Sequence, residues 1–208
     1  MPPSAAQDYA ETYLAEDAVL TAARQRAAEV GVAPIGSGAG AALRMLAAAV
    51  SARSVVEIGT GTGVSGVWLL RGMHPEGVLT TIDTEAEHQR LAREAFTEAG
   101  VPGARTRTIT GRALDVLPRL ADASYDLVFC AAKTEYAEYL GEALRMLRQG
   151  GIVAFDNALW AGKVADPSVR DPATTALREL VRLVRDNDRL TSALLPVGDG
   201  LLVAVLRD

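Results

Sequence analysis

The residues with the clearest chemical potential lie between Glu57 and Gly66, in the stretch Glu-Ile-Gly-Thr-Gly-Thr-Gly-Val-Ser-Gly. Glycines placed between a buried strand and a helix let the backbone turn tightly and let a ligand approach without meeting a Cβ atom. The helix that follows offers free N–H groups and the positive end of its dipole, which suit a carboxylate or a phosphate. Ser65, in the first turn of that helix, adds a hydroxyl. The stretch therefore predicts a loop that binds the anionic group of a small ligand.

Two ligand classes use this geometry, and the spacing of the glycines separates them. Gly61, Gly63 and Gly66 match the dinucleotide fingerprint, which keeps an NAD(P)-dependent oxidoreductase open as an alternative. Those glycines begin two residues after the end of the strand, which would push the phosphate turn into the helix. The set that includes Glu57 and Gly59 starts at the strand end instead. Its acidic residue suits a cationic or amino-acid-bearing ligand better than a pyrophosphate.

Asp83 ends the next predicted strand, in the sequence Thr-Thr-Ile-Asp. A carboxylate at the carboxyl end of a strand, beside a glycine loop, accepts hydrogen bonds from a ribose diol. The simpler interpretation is an N-cap for the helix predicted over 84–100. The position beside the loop favours the ribose, and therefore a cofactor that contains a nucleoside.

The elements that position these residues follow from alternating patterns along the chain. Short β-branched runs predict strands, and longer Ala/Leu/Arg/Glu segments predict helices. Strands are predicted at 54–58, 78–82, 105–109, 125–130, 152–155, 190–197 and 201–206, and helices at 8–30, 39–52, 64–72, 84–100, 113–121 and 135–148. The last two strands are joined by a glycine turn. We therefore expect an α/β, Rossmann-like doubly wound sheet, mostly parallel and seven-stranded, with a C-terminal antiparallel hairpin and helices on both faces.

The composition excludes several classes of protein. With 208 residues, 49% of them hydrophobic and 23% charged, the chain has enough apolar residues for one folded domain. Its net charge of −5 argues against nucleic acid or an anionic membrane as a partner. The single cysteine, Cys130, excludes an intrachain disulfide and a cysteine-rich zinc site. Because neither a targeting pattern nor a membrane-spanning run is present, we expect a soluble cytoplasmic protein.

Further motifs accompany the glycine loop in a fixed order. They are Asp83, Gly111-Arg-Ala-Leu-Asp-Val-Leu117, Tyr125-Asp-Leu-Val-Phe129, Gly150-Gly-Ile-Val153, Asp156-Asn-Ala-Leu-Trp160 and Leu195-Pro-Val-Gly-Asp-Gly200. From about Ile35 to Leu206 this ordered set resembles the S-adenosylmethionine-dependent O-methyltransferases of the catechol and caffeoyl-CoA type. The resemblance implies a single domain over 1–208, in which N-terminal helices (1–52) cover the site and 53–208 form the cofactor-binding core. It also implies a homodimer.

The resemblance assigns a cofactor-binding role to eight positions. They are Ile35, Glu57, Gly59, Thr60, Gly61, Ser65, Asp83 and Ala113. Glu57, Gly59 and Thr60 would line the methionine end and the ribose of S-adenosylmethionine. Ser65 would bind the methionine carboxylate, and Asp83 would hold the ribose diol. Ala113 would lie beside the adenine, and Ile35 would close over the cofactor.

The resemblance also implies a divalent cation, which the family holds with an Asp after the fourth strand and an Asp-Asn pair after the fifth. Asp156 and Asn157 supply the pair, and their oxygen atoms suit Mg²⁺. The first Asp is missing, because the segment after Phe129 places Cys130 or Ala131 at that position. The sequence therefore predicts an incomplete site that would hold Mg²⁺ weakly.

Lys133 is the candidate for the catalytic base. Methyl transfer from a sulfonium to a hydroxyl requires that the oxygen be aligned and its proton removed, and the resembled family uses a lysine near the cation. Only two of the 21 basic residues are lysine, and lysine, unlike arginine, loses its proton when desolvated. The alternative is a solvated lysine at the start of the next helix. The surrounding motif favours the base.

The leading expectation is an O-methyltransferase that acts on a small aromatic hydroxyl compound, a catechol or another phenol. Two alternatives stay open. Gly61, Gly63 and Gly66 allow an NAD(P)-dependent oxidoreductase, and Ala131 at the expected metal-ligand position allows a non-catalytic S-adenosylmethionine-binding homologue.

Overall fold

A seven-stranded sheet forms the centre of the protein, for which a computed structural model describes residues 5–131 and 135–207. The strands are β1 (Ser54–Ile58), β2 (Val78–Asp83), β3 (Thr106–Thr110), β4 (Tyr125–Cys130), β5 (Leu147–Phe155), β6 (Leu190–Leu195) and β7 (Leu201–Leu206). Their order across the sheet is β3-β2-β1-β4-β5-β7-β6. Strands β1 to β5 pair in parallel, and β7 pairs antiparallel with both β5 and β6. The predicted fold class and C-terminal hairpin are therefore confirmed.

Helices cover both faces of this sheet, as predicted. They are α1 (Ala5–Thr12), α2 (Ala18–Glu29), α3 (Ser37–Ala49), α4 (Val64–Gly72), α5 (Ala86–Glu98), α6 (Ala113–Val116), α7 (Tyr136–Met146) and α8 (Pro172–Arg185). Buried residues of α2 to α5 form one core cluster with one sheet face, and those of α6 to α8 form a second cluster with the other. Val55 joins the first cluster and Val56 the second, because successive residues of a strand point to opposite faces.

The strand order indicates which edge of the sheet is suited to bind a ligand. The chain reverses direction across the sheet between β1 and β4, which are neighbours with helices leaving towards opposite faces. Ligands of doubly wound sheets bind at the carboxyl ends of strands at such a switch point. The glycine loop after β1, Asp83 at the end of β2 and Asp156 after β5 all lie at this edge.

The predicted helix over 8–30 is wrong. The structure has two helices there, because Asp17 begins a new one: its side-chain oxygen accepts a 3.1 Å hydrogen bond from the N–H of Leu20. Helix α1 contributes no buried residue, whereas α2 buries Leu20, Ala23 and Ala27. The N-terminal segment is therefore attached to the core mainly through α2.

Other boundaries differ where backbone geometry changes locally. Helix α6 ends at Val116 and a 3₁₀ turn over Leu117–Arg119 replaces the rest of the predicted helix. Strand β5 begins at Leu147, earlier than predicted, and Gly150 interrupts it with a φ of 73°. Helix α8 was not predicted, although Asp171 caps it through the N–H of Thr174. In the described part of the chain, none of the helices combines the length and apolar character needed to span a bilayer.

Candidate active site

A cavity of about 300 Å³ opens at the carboxyl ends of the parallel strands. The loop between α2 and α3 lies on one side of it, and the glycine loop forms its floor. Its lining residues are Val32 to Ile35, Gly59 to Thr62, Val64, Ser65, Asp83 to Glu85, His88, Ala131, Asp156 and Asn157. Six of the eight predicted cofactor-binding residues line this cavity, and Glu57 and Ala113 are the two that do not. Its volume falls in the range of small-molecule sites.

The glycine loop turns where the strand ends. Gly59, Gly61 and Gly63 have φ values of 91°, 49° and 87°, a backbone region that side chains rarely adopt. Gly66 lies two residues inside α4, and a Cβ there would be 2.7 Å from the ring of Phe96. Its role is therefore close packing of α4 against α5. Only part of the apparent dinucleotide fingerprint lies in the turn, as the glycine spacing predicted.

Asp83 faces the cavity with its carboxylate held by backbone donors. Oδ2 accepts a 2.9 Å hydrogen bond from Gly61 N, and Oδ1 accepts a 3.0 Å bond from Glu85 N. Because α5 begins at Ala86 with Glu85 at the N-cap position, Asp83 is not the helix cap. The contact with Gly61 joins the end of β2 to the glycine loop.

His88 is a residue that the sequence did not single out. Its Nδ1 lies 3.2 Å from Asp83 Oδ1, and the ring lines the cavity. It comes from the first turn of α5, one turn beyond Asp83. An isolated histidine carries no spacing signal, so only the folded arrangement places it at the site.

Glu57 is fully buried beneath the glycine loop and does not line the cavity. Ser65 Oγ donates to its Oε1, and Thr81 Oγ1 donates to its Oε2, each over 2.6 Å. Burial raises the pKa of Glu57 to about 7, and the negative charge of Asp83 adds to the shift, although both hydroxyl donors oppose it. Of the two hydroxyls that donate to Glu57, that of Ser65 belongs to a residue that lines the cavity, whereas Thr81 is linked to the cavity through Thr60.

A second cavity, of about 340 Å³, adjoins the first. The two share Gly59, Asp83 and Thr84, and the second is completed by Ile58, Ile82, Gly111, Arg112, Ala113, Glu135 and Tyr139. Arg112 pairs with the Glu135 carboxylate, and Tyr139 donates to it over 2.9 Å. A long ligand can therefore lie across Asp83 with its ends in both cavities, the second of which contains Ala113.

The predicted metal-binding pair reaches the first cavity without the partners that a cation needs. Asp156 is 8% exposed, and Asn157 donates its amide to Asp156 Oδ2 over 2.9 Å. Ala131 lines the cavity beside them. Within residues 5–131 and 135–207, no three Asp, Glu, His or Cys side chains are grouped to hold a metal. The donor set of Asp156 and Asn157 does not fit a Mg²⁺ site.

Lys133, the predicted base, lies outside the described residues. Tyr136, which follows it at the start of α7, is 4% exposed. Burial, and then the negative charges of Cys130 and Asp156, raise the pKa of the Tyr136 phenol. Tyr136 therefore keeps its proton at neutral pH.

The loop after β5 has strained backbone that the β6–β7 turn holds in place. Asn157, Trp160 and Ala161 have φ values of 59°, 50° and 52°. Asp199 Oδ1 accepts a 2.6 Å hydrogen bond from Ala161 N, and its carbonyl accepts one from Leu159 N. Its position between Gly198 and Gly200 is typical of a residue that only shapes a turn. Its side chain instead fixes the loop that carries Asn157 into the cavity.

Comparison with known proteins agrees with this arrangement. The model of the family described as O-methyltransferase matches residues 4–207. A Mycolicibacterium vanbaalenii protein named as an O-methyltransferase is 50% identical over 198 residues, which cover 95% of this chain and 88% of that protein.

Two solved structures extend the similarity. A Corynebacterium glutamicum protein of known crystal structure has 34% sequence identity to this chain. The two structures align with a TM-score of 0.90 over 98% of this chain and 96% of that one. The O-methyltransferase TomG of Streptomyces achromogenes, involved in tomaymycin synthesis and crystallised in complex with SAM, is 30% identical. Its TM-score is 0.87, over 99% of this chain and 97% of that one. The chain therefore belongs to the O-methyltransferase family.

Proposed function

We propose that this protein transfers a methyl group from S-adenosylmethionine to a hydroxyl of a small aromatic acceptor, a catechol or another phenol. The observation that carries the proposal is the pair of adjoining cavities that meet at Asp83 beside the glycine loop. An elongated cofactor with a nucleoside at one end and an amino acid at the other suits such a site. TomG, similar over nearly its whole length, was crystallised with SAM.

The chain's residues divide the cofactor between them. Asp83 accepts hydrogen bonds from the ribose diol, since this residue lines both cavities. The adenine lies beside Ala113 in the second cavity. Ser65, together with the N–H groups at the start of α4, holds the methionine carboxylate. Gly59, Thr60 and Gly61 form the floor, Ile35 closes the opposite wall, and Glu57 acts from beneath through Ser65.

Bound S-adenosylmethionine supplies an electrophilic methyl group, and the chain must align and deprotonate the acceptor. Asp156 and Asn157 lie in the same cavity as the glycine loop, so we assign the acceptor hydroxyl to their side. Lys133 takes its proton, because a desolvated lysine has an accessible neutral form. Because Asp156 and Asn157 alone are a poor donor set for a cation, we favour a base that works without one.

Turnover of a panel of catechols and phenols, with and without EDTA, tests this function. We expect methylated product from radiolabelled S-adenosylmethionine and no loss of rate with EDTA. A rate that EDTA abolishes would contradict the metal-free mechanism. No product from any acceptor would contradict the enzymatic function and favour a non-catalytic cofactor-binding protein.

Lysine replacements test the base with a matched control inside the same chain. Lys133→Arg keeps the charge but removes the titratable amine, so we expect turnover to be lost while cofactor affinity stays near wild type. Lys163 lies in a 3₁₀ turn, where its backbone carbonyl accepts a hydrogen bond from Arg178. Lys163→Arg should leave turnover unchanged. Equal rates for both variants would remove Lys133 from the mechanism.

We also propose that residues 1–208 fold as a single domain, with 1–52 covering a core of 53–208, and that the enzyme works as a homodimer in the cytoplasm. Light scattering on the purified protein measures the oligomeric state, and a monomeric mass would contradict the dimer.

A further inference from the structure

A chain of buried hydrogen bonds ends on Glu57. The Gln89 amide donates to Thr60 Oγ1 over 2.8 Å, and Thr60 and Thr81 share a 2.6 Å hydrogen bond. Thr81 and Ser65 each donate to Glu57. Because the hydrogen of Thr81 is given to Glu57, the hydroxyl of Thr60 must donate to Thr81. All the donors therefore point towards the Glu57 carboxylate.

This direction leaves Ser65 unable to bind an anion. A hydroxyl has one hydrogen, and that of Ser65 is given to Glu57 Oε1. The Ser65 oxygen facing the cavity then offers lone pairs alone, which repel a carboxylate. The methionine carboxylate of the cofactor gains the Ser65 donor only if the hydroxyl hydrogen turns away from Glu57.

We infer that Glu57 takes up a proton when the cofactor binds, which is an inference that rests on the proposed function. A proton from solvent joins Oε1, and this neutral carboxyl donates to Ser65 Oγ. Ser65 then turns its own hydrogen to the cofactor carboxylate, while Oε2 still accepts from Thr81. Glu57 is in this way a positioning residue, which sets the polarity of Ser65 without touching the cofactor.

The surroundings of Glu57 make this proton available near neutral pH. Ser65 faces it from α4, Thr81 from β2, and the apolar Phe129 is its register partner on β4. Asp83 is the charged group that acts on it, and its repulsion favours the neutral carboxyl. With a pKa of about 7, Glu57 is about half protonated at pH 7 before any ligand arrives.

The proton uptake has a defined size and pH dependence. If bound cofactor holds Glu57 neutral, uptake equals the ionised fraction of the free protein. A pKa of about 7 gives uptake of about 0.1 proton at pH 6, about 0.5 at pH 7 and about 0.9 at pH 8. Above pH 8, the ionisation of Glu57 in the free protein should raise the dissociation constant of the cofactor nearly tenfold per pH unit.

Calorimetry with two ligands on the wild-type protein tests the inference. Binding heats in buffers of different ionisation enthalpy give the number of protons taken up. S-adenosylhomocysteine carries both the amino group and the carboxylate, and its decarboxylated analogue keeps the amino group alone. Subtracting the proton uptake of the decarboxylated analogue from that of S-adenosylhomocysteine therefore cancels the contribution of the ligand amine. The remainder is the proton uptake that depends on the ligand carboxylate.

We expect the difference to grow from about 0.1 proton at pH 6 to about 0.9 at pH 8. In Glu57→Gln and in Ser65→Ala the difference should vanish, because either change removes the exchange of donors. The wild-type ligand comparison decides the matter even if a variant does not fold. Equal uptake for both ligands, or proton release with S-adenosylhomocysteine, would overturn the inference while leaving the proposed function intact. No binding heat from S-adenosylhomocysteine would overturn the proposed function as well.

Discussion

The pH dependence of folding stability offers a test of the buried Glu57 that needs no ligand. Burial raises the pKa of Glu57 from 4.5 to about 7 in the folded protein. An acid whose pKa is raised on folding stabilises the native state most below its unfolded pKa. That stability is lost as the pH rises through the folded pKa. Wild type should therefore lose stability relative to Glu57→Gln, which carries no charge at any pH.

The size of the effect follows from the shift. A change from 4.5 to about 7 corresponds to about 3–4 kcal/mol in total, at about 1.4 kcal/mol per pKa unit. Most of it, about 2–3 kcal/mol, should develop between pH 5 and pH 8, because the unfolded carboxyl is already mostly ionised at pH 5. Above pH 8 the difference between the two proteins should be constant.

Urea unfolding of both proteins at unit steps from pH 5 to pH 8 measures this difference. Asp126→Asn is the matched control. Although burial raises the pKa of Asp126, hydrogen bonds from Ser54 and Arg148 lower it overall. The stability from Asp126 is thus lost only as the pH falls below about 4, so its difference from wild type should stay flat over the same range. Parallel curves for wild type and Glu57→Gln would refute the assignment of a raised pKa to Glu57.

Substitutions at three further positions test the packing and the site. Gly66→Ala places a Cβ 2.7 Å from the Phe96 ring, so we expect a loss of about 1–3 kcal/mol in thermal unfolding, and an unchanged melting temperature would contradict the close packing. Asp83→Ala should weaken S-adenosylhomocysteine binding by about tenfold to a hundredfold in calorimetry, and wild-type affinity would exclude Asp83 from the ribose site. Asp199→Ala should lower kcat/KM for the acceptor about tenfold with cofactor affinity unchanged, whereas Asp199→Asn, which can still accept from Ala161, should retain activity. Equal losses in both Asp199 variants would contradict a role in holding the loop.

Most of the fold could be predicted from local patterns in the sequence. The β-branched runs and the glycine turn at 198–200 predict the sheet and its final hairpin, and the strand order confirms both. Helix α8 also has a local signal, since Asp171 and Pro172 precede apolar residues spaced three or four apart. The break in the helix predicted over 8–30 depends on a single capping residue, Asp17, within an otherwise helical composition.

The candidate site was predictable where a residue's role follows from its own strand end. Asp83 and the glycine loop are of this kind. Contacts between distant segments were not predictable, because no spacing in one segment reveals its partner in another. The hydrogen bond from Ala161 to Asp199 crosses 38 positions, and the one from Gly61 to Asp83 crosses 22. For the same reason, the sequence placed Glu57 at the cofactor, whereas the fold buries it behind Ser65.

Calorimetric titration of the purified protein measures whether the cavities that meet at Asp83 bind S-adenosylmethionine. S-adenosylhomocysteine and NADH are added separately to wild type and to Asp83→Ala. We expect saturable binding of S-adenosylhomocysteine to wild type, much weaker binding to the variant, and no heat from NADH. Binding of NADH without S-adenosylhomocysteine, or equal affinity of both proteins for S-adenosylhomocysteine, would contradict this expectation.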